Sequence, residues 1–160
     1  MTIFYDPRCL EYSSRGHPEQ PERIARTAPL IKQRHPDWEW RVPEAATDNE
    51  LLRAHSRQLI ERVTSARGDF DIDTPSYPNI GMYARHSAGG AIEAARAALR
   101  GESALSLMRP PGHHATSDRA MGFCILVTLP LLRSMHWKPA LIAWPSGTLM
   151  DITATEPKRS

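Results

Sequence analysis

The residues with the most chemistry in this chain are Arg109-Pro110-Pro111-Gly112-His113-His114-Ala115. Two adjacent imidazoles follow a Pro-Pro-Gly turn, directly after the apolar run Ala104-Leu105-Ser106-Leu107-Met108. That run predicts a buried strand over 103–108, so the histidines stand at a strand's C-terminal end, where open α/β sheets carry their chemistry. The prolines restrict the backbone and hold both rings. Histidine changes charge near neutral pH, so a rigid pair can act as general base and general acid. On spacing alone a His-His pair in a loop is more often surface decoration or an adventitious metal site, and the rest of the chain has to decide.

Two further segments bear on it. Met121-Gly122-Phe123-Cys124 follows the histidines after a polar loop, and His17-Pro18-Glu19-Gln20-Pro21-Glu22-Arg23 lies near the N-terminus. In this order the three motifs resemble the zinc-dependent histone deacetylase family, including its bacterial amidohydrolase and acetylpolyamine members. The resemblance covers residues 1–124 and implies the N-terminal part of an arginase/deacetylase-type α/β fold, with a mostly parallel sheet flanked by helices. It implies an enzyme that hydrolyses an acetylated amine, acetyl-lysine or an acetylpolyamine, with zinc as cofactor of the intact family member. It assigns His114 as the general base toward the zinc-bound water and His113 as its electrostatic or acid partner. Gly122 and Phe123 match the segment lining the acyl-lysine tunnel, with Phe123 against the substrate's methylenes and Cys124 buried nearby; without the motif Phe123 reads equally as an ordinary core phenylalanine. Asp73 matches a rim aspartate that grips substrate amides; a short acidic loop is otherwise a solvated one. Arg23 matches an arginine lining an internal channel and reads equally as a helix-surface residue. His55, in Leu52-Arg53-Ala54-His55-Ser56, reads as a cap or packing residue.

The family's zinc ligands come from an Asp-x-His segment and a later Asp, the first within a D-x-D-x-H-H-G-N-G motif. The chain contains no Asp-x-His segment. By motif, the resemblance ends at Cys124. Codon degeneracy offers a reason. Read one base earlier, residues 143–160 permit V-A-V-W-D-F-D-G-H-H-G-N-G-T-E-A-I, in which Trp144-Pro145 forces an alanine and Met150-Asp151 forces a glycine. Codons over 128–138 likewise permit N-I-A and H-A-L-E, as in the family helix, whereas Val127 cannot yield the asparagine often found there. The expectation is a frameshift near Cys124: 1–124 is the N-terminal part of a deacetylase-like domain, and 125–160 is a non-native tail. Its His136, Asp151 and Glu156 are then not metal ligands, and this chain binds no cofactor and lacks activity. The alternative is a non-catalytic binding module or truncated fragment.

Composition narrows the partners. At 160 residues the chain can bury one core. A net charge of +2, with arginines scattered rather than blocked, gives no case for nucleic acid. Cys9 and Cys124 make no disulfide framework and suit a reducing compartment. No leader pattern opens the sequence and no apolar run is long enough for a bilayer, so the expectation is a cytoplasmic protein without membrane contact. No internal repeat or low-complexity tract is present, and the sequence carries no signal for an oligomeric state.

The elements that must position these residues follow from pattern. Residues 2–5 alternate and are β-prone, and 38–42 form a second short strand. Pro21 opens a helix to about residue 34. Asp48 caps a helix containing Leu51 and Leu52; Ser56 caps another with Leu59, Ile60 and Val63 at helical spacing. Residues 68–78 are a loop. A long helix spans 79–99, its small residues permitting close packing, and Gly101 stops it. Alternating strands and helices argue for a mostly parallel α/β sheet.

Overall fold

The computed structural model describes residues 1–128 and two short strands, Ile142–Ala143 and Leu149–Met150. Strand β1 (Thr2–Phe4) leads through a 3-10 turn (Pro7–Leu10) to helices α1 (Glu22–Ala25) and α2 (Thr27–Arg34). Strand β2 (Glu39–Arg41) follows, then α3 (Asp48–Leu51), α4 (Arg57–Ser65), the long α5 (Ile80–Leu99) and β3 (Ala104–Ser106). The sheet order is β2-β1-β3, with both neighbours parallel to β1 and Ile3 facing Trp40 on one side and Leu105 on the other. Parallel pairing needs a crossover, and the helices between the strands supply it. This is the expected α/β architecture. Strands β4 (Ile142–Ala143) and β5 (Leu149–Met150) pair antiparallel with each other.

Four local readings change. The helix expected from Pro21 to residue 34 is broken at Arg26. Pro29 has no N–H to close onto the carbonyl four residues earlier, that of Ala25. Thr47, not Asp48, caps α3: its hydroxyl accepts from the Glu50 N–H while the Glu50 carboxylate reaches back, a reciprocal capping box, and Asp48 is the first helical residue. The run 103–108 forms only the three-residue β3, and its residues are half-buried rather than buried. β3 is an edge of this sheet among the described residues. The 3-10 turn at Pro7, capped by the Asp6 side chain, had no counterpart in the periodicity.

Helix α5 sits across the sheet, and two glycines set its approach. A side chain at Gly89 would run into the Glu44 carbonyl, and one at Gly90 would stand 2.8 Å from Ser106 Oγ. Helix α5 tolerates the lower helix propensity of glycine because backbone and strand lie where a Cβ would be. The main core gathers Leu51, Leu59, Ile60, Val63, Phe70, Ile80, Tyr83 and Ile92, and Ile125 and Leu126 complete it. Val127 is buried in a satellite cluster with Cys124 and Ala115. The residues just beyond Cys124 are therefore packed. Of the remaining expected tail only Thr128 and the two short strands Ile142–Ala143 and Leu149–Met150 are described; His136, Asp151 and Glu156 lie outside the described residues. Among the described residues, no helix is long and apolar enough to cross a membrane.

Candidate active site

Beyond β3 the chain turns at Arg109, and this residue roots the site. Its side chain is fully buried. The guanidinium forks onto Glu19, Nε to Oε1 and Nη2 to Oε2, both at 2.7 Å. Nη1 donates to the Cys9 carbonyl at 2.7 Å and Nη2 to that of Tyr12 at 3.3 Å. The same group lies 4.1 Å from the centre of the Tyr12 ring. A buried charge is tolerable only when paired and hydrogen-bonded in this way. Burial would raise the Glu19 carboxyl, but its hydrogen bonds to Arg109 and the charges of Arg109 and Arg23 outweigh that and hold it below the usual carboxylate range.

The Arg109–Pro110 peptide bond is cis. From there three hydrogen bonds fix the turn. Ser87 Oγ donates to the Pro110 carbonyl at 2.7 Å, the Thr128 N–H to that of Gly112 at 2.9 Å, and the His114 N–H to Cys124 Sγ at 3.4 Å. His113 and His114 emerge side by side and exposed, with ring centroids 4.1 Å apart at 52°. Partial burial, the neighbouring His114 and the charge of Arg23 together push the His113 imidazole below its ordinary pKa. The sequence placed both histidines correctly at the end of a strand and turn.

The Gly122–Phe123 segment closes against them. Met121 and Cys124 exchange two backbone hydrogen bonds at 3.0 Å across a tight turn, and both Gly122 (φ 58°) and Phe123 (φ 67°) are left-handed. A Cβ on Gly122 would lie 2.9 Å from His114 Cβ, so glycine is what lets this wall touch the histidine. Cys124 is fully buried, as expected of a structural thiol, and burial raises its pKa. Phe123 is half-buried. Its N–H donates to Thr74 Oγ1 at 3.1 Å, and its ring meets His17 edge-on at 4.9 Å.

Those two contacts bring in the acidic loop. Asp73 is exposed, next to the buried Thr74, whose hydroxyl donates to Asp73 Oδ1 at 3.1 Å. The Asp73 carbonyl takes a hydrogen bond at 3.1 Å from His17 Nε2, and His17 Nδ1 accepts the Glu19 N–H at 3.2 Å. Asp73, Phe123 and the histidine pair thus belong to one connected surface. Arg23 stands on α1 with its side chain about half exposed, paired with Glu19 at 3.2 Å. Its surface character and its electrostatic reach to His113 coexist. His55 is a packing residue: it is buried, and its Nε2 accepts the Val127 N–H at 2.9 Å.

Glu19, Arg109, His17 and Thr74 were not among the expected site residues. Glu19, His17 and Arg109 sit inside the quoted motifs, and two opposite charges in two separate motifs was the available signal. Thr74 carried none. As for the zinc that the resemblance implies, the residues do not fit it: among the described residues no group of three or more His, Cys, Asp or Glu could hold a metal ion.

Residues 17–131 match the family model of the histone deacetylase domain, and the match runs past Cys124, the point at which the motif resemblance ends. The chain is 39% identical over 129 residues to a probable deacetylase of Methanothermobacter thermautotrophicus, covering 78% of this chain and 39% of that protein. It is 38% identical over 143 residues to a histone deacetylase-like amidohydrolase of Pseudomonas aeruginosa, covering 81% of this chain and 38% of that one. The crystal structure of the HDA15 HD domain matches it with a TM-score of 0.77 at 26% identity, over 83% of this chain and 42% of the other. The chain spans less than half the length of these relatives. Motifs, fold and similarity agree, and the chain belongs to the histone deacetylase family.

Proposed function

We propose that the chain carries the proton-transfer wall of an amide-hydrolase site that removes acetyl groups from amines, acetyl-lysine or an acetylated polyamine. The observation that supports this is the contact between the paired imidazoles and the Gly122–Phe123 wall, made possible by the missing side chain at Gly122. In this reading His114 takes a proton from the attacking water. His113, held less basic than an ordinary imidazole, is neutral at pH 7 and assists by hydrogen bonding. Phe123 offers an apolar face to the methylenes of the acyl-amine, and Asp73 offers an exposed carboxylate to the substrate's N–H groups or its cationic end. The proposed compartment is the reducing cytoplasm, consistent with Cys9 and Cys124, both buried and unpaired.

The chain's own part ends at binding and proton transfer. We propose that the metal ligands are encoded one base out of frame, beyond Cys124, and that the 160-residue chain as written is inactive. Two experiments test this. Resequencing the coding DNA from the Arg109 codon onward is expected to reveal one more base near Cys124. The purified chain is expected to show no turnover of an acetyl-lysine peptide or an acetylated polyamine. The frame-restored product should hydrolyse one of them, and lose about 10²–10⁴-fold in rate on His114→Ala. Chelator-sensitive turnover by the 160-residue chain, or none by the restored product, overturns the reading.

A further inference from the structure

The His17–Arg23 motif has no direct part in the proposed chemistry, yet it holds one buried residue, Glu19. One carboxylate there serves two arginines. Both oxygens accept from Arg109 at 2.7 Å, and Oε1 also accepts from Arg23 at 3.2 Å. The arginines lead to different parts of the site. Arg109 begins the turn that ends in the histidine pair, and with Nε, Nη1 and Nη2 all engaged its guanidinium cannot swing. Arg23 is the cation within electrostatic reach of His113. The Glu19 N–H, in turn, is taken by His17, which carries the Asp73 carbonyl on its other nitrogen and Phe123 against its ring edge.

We infer that Glu19 is the positioning residue of this site, fixing the root of the histidine turn through Arg109 and holding the Arg23 guanidinium on the same carboxylate. It touches no reacting atom. The planar fork matters, because a bidentate carboxylate–guanidinium pair sets an orientation that a lysine ammonium could not. The inference rests on His113 and His114 being the proton-transfer pair. Its test reads the imidazoles directly and needs no turnover, so it can fail while that reading stands.

The test follows the histidine Cε1–H resonances of the 160-residue chain against pH by NMR. The charges in play at His113 are His114 and Arg23. Arg23→Gln removes a half-exposed cation and leaves the buried pair intact, so the fold is retained and the His113 titration should move to higher pH. Glu19→Gln keeps the side chain's shape and removes its charge; it should displace the His113 and His114 resonances. Glu19→Asp keeps the charge and should restore part of that change. His35, stacked on Trp38 outside these contacts, should stay where it is in every variant. An unmoved His113 titration in Arg23→Gln overturns the inference. So do His113 and His114 signals in Glu19→Gln that coincide with the parent's; if that variant does not fold, unmoved signals in Glu19→Asp overturn it instead.

Discussion

A methyl group at position 122 would meet His114 Cβ at 2.9 Å on a backbone with φ 58°, so a clash and conformational strain coincide there. Gly68 has a similar φ of 76° and nothing within 4 Å of the added atom. The two positions separate the effects. Gly68→Ala should cost about 1 kcal/mol from strain alone, and Gly122→Ala about 1–3 kcal/mol more from overpacking. Urea midpoints measure the difference, and only Gly122→Ala should displace the His114 ring signals. A second residue-scale effect is proton linkage. Burial lowers the His55 pKa, and its Nε2 must remain unprotonated to accept the Val127 N–H. His113 is lowered as well, by partial burial, His114 and Arg23. For both, the unfolded chain binds the proton more readily. Stability is therefore full above the ordinary imidazole value of about 6.5 and falls as the pH drops below it. Unfolding free energies measured between pH 7.5 and 5 should decline, and less steeply in His55→Gln. These roles were legible unevenly. Adjacent histidines, prolines and a glycine announce a rigid turn by themselves. The partner of His55 is a backbone N–H 72 positions away, and no local pattern reports it.

At the scale of elements, the buried Glu19–Arg109 pair ties β3's exit to the segment before α1 across 90 residues. Removing one partner leaves the other charge uncompensated, so Arg109→Met should cost about 3–5 kcal/mol, read as a loss of urea midpoint. The Glu19 pKa is depressed in the folded chain, so the pair's contribution is present above the ordinary carboxylate range and is lost as the pH falls through the depressed value. The parent should therefore lose stability in acid along a branch that Arg109→Met lacks. Helix α5 makes the complementary point without charge. Gly89→Ala drives a methyl into the Glu44 carbonyl, and the penalty should exceed that of Gly101→Ala, where nothing lies within 4 Å. The long helix, both outer strands and the capped α4 were legible, because periodicity and capping are local signals. The break at Arg26 was readable from Pro29 and was missed. The choice of Thr47 over Asp48 as cap depended on a reciprocal bond to Glu50, which two adjacent cap-competent residues leave undecided. The half-exposure of β3 follows from its edge position among the described residues, a property of the sheet rather than of residues 104–106.

For the whole molecule the deciding quantity is how many metal donors one chain can bring to one place. In the proposed reading His113 and His114 move protons rather than bind metal, and among the described residues no group of three or more His, Cys, Asp or Glu could hold a metal ion. Structural zinc sites use four protein ligands, and catalytic ones commonly three plus water. The sequence contains no Asp-x-His segment, while the shifted codons of 143–160 permit one within D-F-D-G-H-H-G-N-G. The chain as written should therefore bind zinc far below one ion per molecule after dialysis against micromolar zinc, and zinc should leave its thermal midpoint unchanged, since a ligand stabilises only the state it binds. The frame-restored product should hold one ion tightly and gain in midpoint. Elemental analysis of both proteins, prepared side by side, gives the stoichiometry, and calorimetry gives the stabilisation. One tightly held zinc in the 160-residue chain would place ligands in its own reading frame after Cys124, and the frameshift account would then be wrong.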